Sequence, residues 1–196
     1  MICTVLKSKS QKGILVIDND NFGKFYTYNL STQCWKTLEP RQSCLLSQSR
    51  LLYQYKPVTV GNTLYWPFLD RPHYRYGMCI VQAYNVDTDV WFEGFFNTNQ
   101  LFKKPEFLYS EHLFPLIHVA DQKFCLLLES CTMHNPPELD MRYVNFLVLD
   151  IHVPDDDDDD DDDDEPHKLS VSVVSVQKHI LGEHHGCFGL MDAVLL

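Results

Sequence analysis

The sequence predicts an all-β protein built from repeated antiparallel units, and three observations predict it. An eight-residue pattern occurs twice: Tyr28-Asn29-Leu30-Ser31-Thr32-Gln33-Cys34-Trp35 returns 56 positions later as Tyr84-Asn85-Val86-Asp87-Thr88-Asp89-Val90-Trp91. Self-similarity at a fixed spacing of roughly 40–50 residues, or slightly more, marks a repeat architecture. Short aliphatic and aromatic runs also alternate with turn-rich segments along most of the chain, as in a meander of antiparallel strands. Helical periodicity is nearly absent. Gln42 to Leu52 suits at most a helical turn, because Leu45, Leu46, Leu51 and Leu52 form no sustained apolar stripe.

The elements follow in order. Gly13-Ile14-Leu15-Val16-Ile17 reads as a strand, the polar turn Asp18 to Asn21 follows, and Lys24 to Tyr28 alternates as the next strand. After the turn-rich Asn29 to Gln33, Trp35-Lys36-Thr37-Leu38 opens another. The second unit repeats this order: Pro57 to Val60, a Gly61-Asn62 turn, Leu64-Tyr65-Trp66, a long loop, Cys79 to Tyr84, the turn at Asp87-Thr88-Asp89, and Trp91-Phe92. The third unit is looser. It runs through Leu116 to Val119, Phe124 to Leu128, a loop with Asn135-Pro136-Pro137, Tyr143 to Asp150 and Ser170 to Val176. Leu149-Asp150 takes the place of Tyr-Asn there. Asp155 to Asp164 and Glu165 then fall where the hairpin turn belongs, so residues 155–165 read as a disordered acidic insertion in the third unit. A fourth unit is expected to begin near Glu183-His184-His185-Gly186 and run to the apolar Ala193-Val194-Leu195-Leu196.

Composition narrows the function classes. The formal charge of −11 belongs to one loop: outside residues 155–165 the chain carries 16 acidic residues against 16 Lys and Arg. No basic patch neutralises several phosphates, so no nucleic-acid partner is expected. No run of about 18 apolar residues exists, so no membrane span is expected. No signal peptide is evident at Met1 to Lys7. The seven cysteines, Cys3, Cys34, Cys44, Cys79, Cys125, Cys131 and Cys187, are scattered and odd in number. That suits thiols in a reducing compartment, hence a cytoplasmic or nuclear location.

Tyr28, Trp35, Tyr84 and Trp91 have a structural reading. Large aromatics beside a hairpin turn fill the wedge between neighbouring sheets, each burying roughly 150–250 Å². Asn29, Asn85, Thr32 and Thr88 support the turns by bonding the local backbone. The Tyr-to-Trp spacing resembles the kelch repeat. Leu38-Glu39-Pro40-Arg41 and Gly61-Asn62-Thr63-Leu64-Tyr65 resemble its inter-blade and second-strand segments. The likeness spans about residues 13–180 and is nearest the divergent kelch-like proteins of plants, some of which carry an F-box. The family's paired glycines have no counterpart, since Trp66-Pro67-Phe68 and Val16-Ile17-Asp18 stand in that region, and no F-box precedes the first unit. The resemblance implies one domain over residues 1–196: an incomplete kelch-like β-propeller of antiparallel four-stranded blades, about three blades plus a partial fourth. Propellers close with about four to eight blades. A piece of a longer propeller is therefore expected, with pairing to another chain as the alternative.

Chemical signatures are sparse. The acidic run lacks the Gly-shaped geometry of a specific calcium loop. His179, His184, His185 and Cys187, even with His167, lack the paired spacing of a zinc site. No nucleophile elbow occurs. Glu129, Cys131 and His134 lie close in sequence, which says little about triad geometry. No catalytic, cofactor-binding or metal-binding residue is assigned, and no cofactor is expected. The richest candidate is the loop Asp70 to Tyr76, where Arg71, His73, Tyr74, Arg75 and Tyr76 gather residue types favoured at interface hot spots. The corresponding loop of the third unit supplies His134. The expected role is a non-enzymatic protein–protein interaction module, with substrate recognition in a ubiquitin-ligase setting as one context in a longer parent chain. Self-association through unpaired blade edges is a further expectation. The alternatives are an enzyme or divalent-metal-binding protein on a propeller scaffold, or a truncated product without independent function.

Overall fold

A computed structural model describes residues 2–7, 12–18, 24–38, 57–70, 78–98, 101, 106–108, 115–132, 141–153 and 167–183. These form three successive β-sheets, with no helix longer than a single 3-10 residue among the described residues. The first sheet is a meander of β1 (Ile2–Lys7), β2 (Lys12–Asp18), β3 (Lys24–Asn29) and β4 (Cys34–Leu38) in that order. The second runs through β5 (Val58–Val60), β6 (Thr63–Asp70), β7 (Met78–Asn85) and β8 (Val90–Asn97). The third contains β9 (Glu106–Leu108), β10 (Leu116–Ala120), β11 (Lys123–Thr132), β12 (Met141–His152) and β14 (Ser170–Glu183). Both β9 and β10 pair with β11, at opposite ends of it. A two-residue strand, β13 (His167–Lys168), joins the second sheet by parallel pairing with β8; every other pairing is antiparallel.

The three sheets share one register. Leu64 pairs with Tyr84, and Tyr84 with Trp91. In the first sheet Ile14 pairs with Tyr28, and Tyr28 with Trp35. In the third, Phe124 pairs with Leu149, and Leu149 with Val173. Leu149-Asp150 thus stands where the doubled motif has Tyr-Asn, and valine replaces its tryptophan. The turns agree as well. The Val86 amide donates to the Asn62 carbonyl at 2.9 Å, and the Ile151 amide donates to the Gln122 carbonyl at the same distance.

Alternation along the strands gives each sheet two faces. The row through Leu64, Tyr84 and Trp91, and its equivalents, is called the front; the opposite row is the back. The back of the second sheet (Cys79, Val81, Ala83, Phe96) packs on the front of the third (Phe124, Leu126, Leu128, Leu147, Leu149) in one buried core. Tyr65 and Phe124 meet there with ring centroids 4.8 Å apart. The front of the second sheet is buried too: Leu64, Trp66, Ile80 and Tyr84 are each 2 % exposed or less. Both faces of β7 are therefore interior, although Phe95 on the neighbouring β8 stays exposed, which explains why β7 reads Cys-Ile-Val-Gln-Ala-Tyr without strict polar alternation.

The return limb of the third hairpin stitches the second and third sheets together. β12 and β14 pair from His152↔Ser170 onward, while the preceding Leu169 amide donates to the Glu93 carbonyl at 2.8 Å. Leu169 is buried in the shared core. The close approach depends on Gly94: a Cβ there would overlap the Leu169 carbonyl and come within 2.7 Å of Val171 Cγ2. The acidic run at 155–165, the Gln42 to Leu52 segment and the expected fourth unit beyond Glu183 lie outside the described residues.

Candidate interaction surface

Two ends of the sheets differ in chemistry. At one end lie the hairpin turns of the doubled motif. Asn29 Oδ1 accepts the amides of Ser31 (2.8 Å) and Thr32 (3.1 Å). Asn85 Oδ1 accepts those of Asp87 (2.9 Å) and Thr88 (3.3 Å). Asparagine suits this role because its short amide substitutes for a backbone acceptor in the turn. Gln33 and Asp89, at equivalent positions, both adopt positive φ, 54° and 61°. The two hairpins are thus the same local structure.

Three of the carboxylates at this end are engaged within the chain. Asp89 accepts from Lys36 of the first sheet and from the Tyr84 hydroxyl, each at 2.5 Å. Partial burial pushes the Asp89 carboxyl up, but the Tyr84 hydroxyl and the Lys36 ammonium outweigh it and hold it below the usual range. Burial and the adjacent Asp89 raise the Tyr84 phenol well above its ordinary value. Asp87 accepts from the Asn62 amide. Asp150 pairs with Lys123, whose hydrogen bond leads in keeping its carboxyl low, and with His152. Among the described residues no three His, Cys, Asp or Glu side chains converge on a point that could hold a metal ion.

Glu129 and Cys131, adjacent on the back of the third sheet, are both buried. Glu129 is in a buried ion pair with Arg142, while His134 lies outside the described residues. Two neutral buried contacts accompany it: Asn145 Nδ2 donates to Ser130 Oγ at 2.8 Å and to the Leu128 carbonyl at 3.2 Å. Burial raises the thiol of Cys79, and more modestly that of Cys125, away from the reactive thiolate. His179 is exposed on β14 and meets the edge of the Phe146 ring at 5.4 Å. His167, also exposed, lies 5.7 Å from the Phe92 ring.

The opposite end carries the loops between second and third strands. Arg71, His73, Tyr74, Arg75, Tyr76 and His134 belong to those loops and lie outside the described residues. The strand ends that flank them are described: Asp70 pairs with Met78, and Cys131 with Arg142. Tyr65 and Phe124, each near the start of its strand, are in contact. The β6 and β11 starts therefore share the turn end, and Asp70 and Thr132 share the other.

Apolar side chains remain exposed at several places among the described residues, Phe95 on β8 among them. Trp35 is 61 % exposed, although its counterpart in the second hairpin, Trp91, is 6 % exposed. Of the four motif aromatics, Tyr84 and Trp91 are buried, Tyr28 is half-buried and Trp35 is exposed. The back of the third sheet is largely covered: Leu127, Cys131 and Val144 are buried, while Ile117, Cys125, Phe146 and Val148 are half-buried. The edge strand β14 exposes Val174, Val176 and Ile180. Sequence spacing gave no hint of the Lys36–Asp89 and Glu129–Arg142 pairs; only strand register brings them together. The fold and surfaces define an all-β protein of three serially equivalent antiparallel sheets. Comparison with family models, characterised proteins and solved structures finds no match to the chain.

Proposed function

We propose that the chain is a non-enzymatic protein-interaction module whose three sheets are blades of a kelch-like propeller, and that it binds a protein partner through the loops joining second and third strands. One observation carries this reading. The strand ends flanking residues 71–77 and 133–140 share one end of the sheets, while at the opposite end Asp87, Asp89 and Asp150 are engaged in internal pairs. Arg71, Tyr74 and Arg75 supply a guanidinium-and-aromatic set suited to an interface centre. Shared register across three consecutive units supports the blade assignment, because each unit offers a front and a back to its neighbours.

The test is the triple variant R71A/Y74A/R75A beside a turn-end control, D87A. Proteins cross-linked specifically to the wild-type chain should be lost from the triple variant and kept by the control. Unchanged cross-linking by the triple variant would sink the loop assignment.

A further inference from the structure

We propose that the outer edge of β14 is a strand-addition site, taking an extended segment of a partner protein that sets an acidic residue between two apolar ones on one face. This surface is separate from the loops between second and third strands. β14 is the last strand of its sheet: one edge pairs with β12, and among the described residues no strand pairs with the other. An unpaired edge presents a row of amides and carbonyls, the template for another strand. Residues 174–180 are all exposed, on both faces of the sheet. Two register shifts bracket this run, one at Val174 and one at Leu181; between them Ser175 to Ile180 pair residue for residue with Val148 to Tyr143. A bulge inside an edge blunts it. Here the bulges flank the run and leave a regular stretch the length of an ordinary strand.

The molecule already makes this addition once. β8 and β14 are the same strand of successive sheets, since Trp91 and Val173 hold equivalent register positions. β13 lies along the outer edge of β8 in the parallel sense, with His167 beside Phe92 and Lys168 beside Glu93. The side chains of β14 state what an added strand must offer. Val176, Lys178 and Ile180 follow one another on the front; Ser175, Gln177 and His179 do so on the back. Val176 and Ile180 are 39 % and 67 % exposed. The Lys178 ammonium lies over the Tyr143 ring, 3.7 Å from its centroid, which keeps the charge on the front. Cross-strand neighbours on one face interact in pairs, so an apolar–acidic–apolar row meets the front and a polar row meets the back. The same lysine disfavours a second copy of β14. An antiparallel pairing of two such edges that sets Val176 opposite Ile180 brings the two Lys178 ammonium groups opposite one another, a like-charge pair.

The probe is a synthetic peptide, Thr-Val-Thr-Glu-Thr-Val-Thr, labelled at its N-terminus and titrated with the 196-residue chain by fluorescence anisotropy. Saturable binding of one peptide per chain is expected, roughly tenfold weaker when lysine replaces the peptide's glutamate. Lys178→Glu should invert that preference, which loss of a merely structural lysine would not do. Ile180→Thr should weaken binding of both peptides. These side chains are exposed, and circular dichroism with a thermal melt checks that each variant folds; Val176→Thr replaces Ile180→Thr if the latter does not. Methylating alternate amide nitrogens of the peptide separates strand pairing from surface contact. Of the two alternate sets, one faces β14 and should abolish binding, and the other should leave it intact. No saturable binding, an unchanged preference in Lys178→Glu, equal effects of the two methylated sets, or occupation of the edge by a second copy, seen as a dimer in sedimentation that Ile180→Thr dissolves, would each overturn the proposal. The two readings fail independently, because cross-linking probes the loops and the peptide probes the edge.

Discussion

The two copies of the Tyr-Asn-x-x-Thr-x-x-Trp hairpin are alike in backbone and unlike in fate. Both turns are closed by an asparagine side chain, and both place a positive-φ residue before the last strand. Both set tyrosine against tryptophan, with centroids 4.9 Å apart in the first and 4.8 Å in the second. Yet Trp91 is buried and Trp35 is mostly exposed. Trp91 also stacks on Trp66 at 5.8 Å, whereas the equivalent register position of the first sheet holds Val16. The motif encodes the hairpin. Burial is conferred by what lies in front of it.

Three measurements can break or sharpen that contrast. The largest effect is expected from the tryptophans, compared by urea denaturation. Trp91→Ala should cost about 3–5 kcal/mol, as for other large-to-small core changes. Trp35→Ala should cost about 1 kcal/mol or less. Equal losses would mean that Trp35 is covered in the folded chain. The asparagines should behave oppositely, because the turn is local. Asn29→Ala and Asn85→Ala should each cost about 1 kcal/mol for the lost hydrogen bonds. A clear inequality between them would show that the turns are not equivalent.

The smallest effect is electrostatic. Asp89 has a depressed folded pKa, so its stabilisation is present above the unfolded carboxylate value, near 3.9, and fades as pH falls through the lower folded value. The stability gap between wild type and Asp89→Asn should narrow between about pH 5 and pH 3. It should be small throughout, since the Lys36 and Asp89 side chains are 57 % and 58 % exposed. Gln33 occupies the matching place in the first hairpin, so Gln33→Ala should show no such pH trend.

Much of the fold was legible because antiparallel strands leave local marks. Tyr84-Asn85 and Asp87-Thr88-Asp89 signal a hairpin through residues adjacent in sequence, and β7 and β8 meet there. The degraded Leu149-Asp150 of the third unit was legible only by analogy, and the register then placed it opposite Phe124. β13 left no mark: two residues pair in parallel with a strand some 75 positions away, and the enabling feature is the absence of a side chain at Gly94. β1 and β9 are short strands whose residues carry no turn signal. The exposure of Trp35 was illegible for a different reason. It depends on a neighbouring surface, which a local pattern cannot specify. The candidate binding residues were read from the composition of loops, and the described strand ends speak only to where those loops begin.

The stitched limb of the third hairpin has a consequence for how this gene can change. Chain pairing resumes at His167 on one sheet and at Ser170 on the other, while β12 ends at His152. The acidic run is therefore bounded by two anchors whose positions do not depend on its length. Doubling the span between such anchors costs only about 0.6 kcal/mol of closure entropy. Closure entropy alone would therefore change little if the number of aspartates between the anchors changed. The tract is a place where the chain can vary in size and charge without renegotiating its core.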